Sequence, residues 1–238
     1  MADQILSLII LLLAASGLYL QSGIPAGNPR RHLFAYYTNL SNLLILLYEL
    51  GFYFTGLAGP GELGELLRHP AVRFSAVLTI LVTFLIYQLV LGPEIIRARR
   101  RQAGEDRGHL LDPILRPGGP FEDSRDIPGN LCVHYLVPIL SLVRWLLLAG
   151  KAVPFWAVFA WLAVPAAYYA FVLIRARLGP PLTPKGRRYP YTFLDPERVG
   201  AKKCAVNVFL TAIGFFLLGL GLLGAARLIT TCGERIIK

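Results

Sequence analysis

Apolar positions fall in six long runs, near residues 5–22, 34–58, 72–92, 131–150, 153–174 and 204–226, with polar residues gathered between them. Each run is close to the roughly 20 residues a helix needs to cross the hydrocarbon core of a bilayer. The pattern predicts an all-α polytopic membrane protein, with six transmembrane helices in one bundle and residues 1–238 forming a single domain. The first run follows "MADQ", which lacks the basic start of a secretory signal, and no small-residue cleavage pattern precedes "QSGIPAGNP". It is therefore expected to stay as the first helix. The two long connections, after the third and fifth runs, are rich in Pro, Gly and Arg and read as interfacial loops.

Composition sharpens this picture. The chain is 55% hydrophobic and 16% charged, which excludes an ordinary soluble domain. Its net charge of +10 sits mostly in the loops, where Lys and Arg set orientation and meet anionic lipid, so nucleic acid is not an expected partner. The connections after helices one, three and five hold 17 Lys and Arg, against 6 on the other side. By the positive-inside rule the long loops face the cytoplasm and both termini face out. The run Arg99 to Arg101 reads as a juxtamembrane anchor. Cys132, Cys204 and Cys232 are too scattered for a disulfide framework or a zinc site, so no metal is expected.

The polar residues inside the runs are not spread evenly. Neighbouring helices run in opposite directions, so the starts of helices two, four and six share a side with the ends of helices one, three and five. Thr38, Asn39, Ser41 and Asn42 open helix two, Tyr87 and Gln88 close helix three, His134 opens helix four, Tyr168 and Tyr169 close helix five, and Asn207 opens helix six. Buried polar groups in hydrocarbon need partners or a task, and a pocket opening beside the two long loops accounts for this clustering. At about 100° per residue, Thr38, Ser41, Asn42, Ile45 and Glu49 share one face of helix two.

G-x-S-x-G, H-E-x-x-H, a Walker A loop and an intramembrane carboxylate pair are all missing. What remains is a hydroxyl and an imidazole at similar depth, Thr38 and His134. Imidazole is suited to take a hydroxyl proton near neutral pH, and Asn42, Gln88, Tyr87 and Tyr168 offer hydrogen bonds for a developing oxyanion. The residues alone also allow a threonine bonded to its own helix backbone and a histidine bridging helices. Counted from the same face, Glu49 and Arg144 both reach about 15 Å, the depth expected of a buried ion pair, unless each finds its own contacts with water or headgroups.

"YYTNLSNLL", "HYLVP", "YYAFVLIR" and "RYPYTFLDP" follow one another along nearly the whole chain. Together they resemble the androgen-induced and androgen-dependent TFPI-regulating protein family and its bacterial six-helix relatives. Animal members are intramembrane threonine hydrolases that cleave fatty acid esters of hydroxy fatty acids. The resemblance implies that Thr38 is a nucleophile, that His134 is its base, that the substrate is a lipid ester and that no cofactor is needed. It also implies a place in a bacterial inner membrane. Related sequences carry an acidic residue ten positions past the histidine, where this chain has Arg144. Ser41, Asn42, Tyr87, Gln88, Tyr168, Asn207, Tyr191 and Asp195 are the candidates for substrate binding or oxyanion support. "RRYPYTFLDP" reads either as a cover over the pocket mouth or as a Pro-aromatic anchor, and Asp195 either as a helix cap or as a pocket residue. Oligomeric state is not read from the sequence.

Overall fold

The computed structural model describes residues 1–59, 61–91, 126–148, 153–183 and 186–236. The Arg99–Arg101 run and most of the third connection lie outside them, as does the side chain of Cys232. The protein is an all-α bundle, and among the described residues six helices are long and apolar enough to cross a membrane. They are α1 (Ala2–Gln21), α2 (Tyr37–Ala58), α4 (Pro70–Ile86), α5 (Ile127–Leu148), α6 (Ala157–Leu178) and α8 (Ala201–Ile236). Two short helices, α3 (Glu62–Arg68) and α7 (Pro196–Val199), sit in connections.

Several helix ends differ from the apolar runs for local reasons. Phe34 and Ala35 belong to a separate 3-10 turn, Arg31–Ala35, and extended Tyr36 then turns the chain into α2. His69 sets the start of α4, where its side chain accepts the Ala71 N–H and Pro70 takes the first helical position. The sixth helix runs well past the apolar run, to Ile236.

Two helices loosen on the same side of the bundle. After Ile86, α4 passes into a π turn over Tyr87–Leu91, and α5 contains a π turn over Cys132–Leu136. Pro138 accounts for the second. It has no N–H to offer the carbonyl of His134, and its ring crowds that carbonyl. The Val137 N–H then bonds back to Cys132 O, the wider register of a π turn.

Packing is close around α1, α2, α4 and α5. Ile10, Ala14, Ile45, Ile80 and Val137 meet at the centre. Gly17 lets α1 touch α5, since a Cβ there would lie 2.7 Å from Val133 Cγ1 and 2.8 Å from Cys132 Cβ. A second cluster joins Phe74, Leu78, Trp145 and Trp161. In the apolar 18-residue stretch of each helix, half of the residues are buried in α4 and α5, against 22% in α6 and 17% in α8, so the last two spanning helices are the least buried.

Candidate active site

Thr38 stands in the first turn of α2 and His134 in the π turn of α5, and both are buried. Asn42, one turn after Thr38, ties their backbones together. Its Nδ2 donates to Thr38 O at 2.8 Å and to Val133 O, the residue before His134, at 3.1 Å. Among the described residues no hydrogen bond joins the Thr38 hydroxyl to the imidazole. The imidazole instead stacks on Tyr87, with ring centroids 3.8 Å apart, so the two π turns meet at this pair. Asn130 Nδ2 donates to the Tyr87 hydroxyl at 2.8 Å. His134 Nδ1 is buried without a hydrogen-bond partner among the described residues, as is Asn42 Oδ1.

Tyr191 brings the fifth connection to the same place. Its hydroxyl accepts the Tyr37 N–H at 3.2 Å, which satisfies one of the free donors at the start of α2. Burial holds the Tyr191 phenol well above its ordinary pKa, so it stays protonated as a donor. Tyr168 donates to Ala35 O at 3.0 Å, and the Tyr36 and Tyr191 rings meet edge to face at 5.9 Å. The "RRYPYTFLDP" segment thus lies against the head of α2.

The remaining candidates take structural contacts. Ser41 donates to Thr38 O at 2.9 Å and lies 2.5 Å from Thr83 Oγ1. Gln88 donates to Tyr135. Asn207 donates to Phe193 O at 3.0 Å, clamping the connection to α8. Asp195 accepts the N–H groups of Glu197 and Arg198 at 3.0 and 3.2 Å. It is a cap, and it caps the short α7 rather than the last spanning helix.

Behind Tyr191 lies a cavity of about 290 Å³ between α6, α8 and the connection. Leu162, Val208 and Phe215 form apolar walls, and Tyr37, Tyr168, Tyr169 and Tyr191 bring phenol rings. Tyr168 and Tyr191 are the two sequence-selected residues in this lining. Thr38 and His134 are not part of it.

Deeper in the bundle, Arg144 Nη1 donates to both Glu49 oxygens at 2.6 Å. Arg144 Nε donates to Asp3, Ser7 donates to Glu49, and Arg73 grips Asp3 through two bonds of 3.0 Å. Asp3, Ser7 and Arg73 were not singled out by sequence reasoning. Asp3 precedes the first apolar run and Arg73 lies at the start of the third, and their charge was the available signal. No protein-family model, curated protein or solved structure matches the chain.

Proposed function

We propose that the protein is an intramembrane lipid-ester hydrolase, with Thr38 as nucleophile and His134 as general base and then general acid. The observation that carries this reading is the Asn42 bridge, which holds the nucleophile's helix turn beside the histidine's π turn. His134 supports it with a buried imidazole whose Nδ1 is bonded to no described residue. In the first step Thr38 Oγ1 bonds to the ester carbonyl carbon and its proton passes to the imidazole. The tetrahedral oxyanion sits near the Thr38 and Asn39 N–H groups in the first turn of α2, the Tyr37 N–H being taken by Tyr191. Collapse breaks the bond to the alkoxy oxygen, which leaves with the proton from His134. Water then attacks the threonyl ester by the same proton route and releases the fatty acid.

The substrate class is an ester of two long-chain parts, such as a fatty acid ester of a hydroxy fatty acid, with an acyl chain in the cavity behind Tyr191. The long connections face the cytoplasm and both termini face out, in a bacterial inner membrane. One observation favours a second reading, a non-enzymatic lipid-binding protein: the 290 Å³ cavity is not lined by Thr38 or His134. A lipophilic fluorophosphonate separates the two. Labelling that is lost in Thr38→Ala supports the hydrolase, whereas a protein that takes up lipid but is never labelled is the binding protein.

A further inference from the structure

The charged cluster of Asp3, Glu49, Arg73 and Arg144 adjoins a cleft that the proposed hydrolysis does not use. It lies between α2, α4 and α5, is lined by Glu49, Arg73, Ser141, Arg144 and Trp145, and has about 20 Å³ of free space. That is room for one water-sized particle and not for a headgroup. Ser141, Arg144 and Trp145 fall at positions i, i+3 and i+4 of α5, so they share a face, and each is more than nine-tenths buried. Ser141 Oγ, Arg144 Nη2 and Trp145 Nε1 all lack a hydrogen-bond partner among the described residues.

The chemistry of these three atoms is one-sided. A guanidinium nitrogen and an indole nitrogen donate and cannot accept, and a serine hydroxyl is free to turn as a third donor. Leaving such groups unmatched in a buried place is costly. The surrounding charge points the same way. Arg68, Arg73 and Arg144 all lie over the buried Phe52 ring, at 4.8, 5.2 and 4.4 Å from its centroid. Asp3 and Glu49 are the carboxylates paired with this group. Among the described residues Arg68 donates to Thr55 and to Gly64 O and pairs with no carboxylate, so three guanidinium groups around Phe52 meet two bonded carboxylates.

We propose that this cleft binds a single halide ion, chloride in the cell, held by Ser141 Oγ, Arg144 Nη2 and Trp145 Nε1. The ion matches three unpartnered donors and the excess of guanidinium groups over bonded carboxylates in a space that admits one atom. A water molecule would match the donors but not the charge. The site is independent of the proposed hydrolysis.

The test uses the full chain in detergent, with sodium chloride or bromide exchanged for sodium gluconate at constant ionic strength. The thermal unfolding midpoint should rise with halide and saturate. Ser141→Ala should weaken the apparent halide affinity several-fold, and Trp145→Phe should do the same where it folds. In crystals grown with bromide, an anomalous peak should lie among the three donors. Equal midpoints in chloride and gluconate would overturn the proposal and leave a water there. An undiminished halide response in Ser141→Ala, or a bromide peak confined to other places, would overturn it as well.

Discussion

At the scale of single residues, the polar side chains of α2 divide between two tasks. Asn42 bonds Thr38 O to the π turn of α5, and Glu49, nearly two turns further on, meets Arg144. Thr38→Ala and His134→Ala should each abolish fluorophosphonate labelling while the helical signal in circular dichroism stays unchanged, and Thr38→Ser should keep part of it. Strong labelling of Thr38→Ala would remove the threonine from the reaction. The ion pair predicts stability instead. Taking one partner from a buried pair typically costs about 3–5 kcal/mol, because the other charge is left unmatched. Glu49→Gln should therefore lower the thermal midpoint markedly. Adding Arg144→Met should restore only part of the loss, since Asp3 then keeps Arg73 but loses its bond from Arg144 Nε. A double-mutant cycle measures that coupling, and purely additive losses would show that the pair contributes no stability of its own.

At the scale of elements, the π turns are what set the candidate site apart from the rest of the bundle. The Cys132–Leu136 turn aims His134 at Tyr87, itself the first residue of the other π turn. Pro138→Ala returns the missing N–H to α5 and should relax this turn toward α geometry. The expected result is unchanged or higher thermal stability with loss of probe labelling, a split that a merely destabilised protein would not give. Gly17 makes the complementary prediction. Gly17→Ala brings a Cβ against Val133 and Cys132, and overpacking of this kind costs about 1–3 kcal/mol. Its thermal midpoint should fall. The spanning helices were legible in the sequence because an apolar run of that length has few other uses. That the starts of α2 and α5 lie at the same end of the bundle was legible too, because neighbouring spans run in opposite directions, and the Asn42 bridge joins them there. The π turns were not, since an apolar run hides a change of register. The role of Tyr191 was also hidden, because its contact with the head of α2 joins distant parts of the chain.

At the scale of the whole molecule, the bundle is tight on one side and open on the other. α1, α2, α4 and α5 hold the charged cluster and the candidate couple, whereas the thinly buried α6 and α8 enclose the 290 Å³ cavity. An acyl chain entering sideways from the bilayer meets this loose pair first, and Tyr191 then separates it from Thr38. Ala212 lines the cavity, and Ala212→Trp should fill much of the space. Turnover of a long-chain ester should fall at least tenfold in that variant while a short-chain ester is still cleaved, and equal loss of both would place the acyl chain elsewhere. Orientation follows from charge rather than packing. In the proposed orientation, set by 17 basic residues on one side against 6 on the other, α7 lies in the cytoplasm and α3 outside. Glu197 on α7 and Glu62 on α3 are both exposed, so a cysteine at either place is open to reagent from its own side. An impermeant thiol reagent added to intact cells should modify Glu62→Cys and spare Glu197→Cys until the cells are opened. The reverse pattern would mean that the two long, Arg-rich connections had crossed the membrane against the charge rule. Tyr191 and the head of α2 would then face the outside, and the candidate couple would draw its lipid from the outer leaflet.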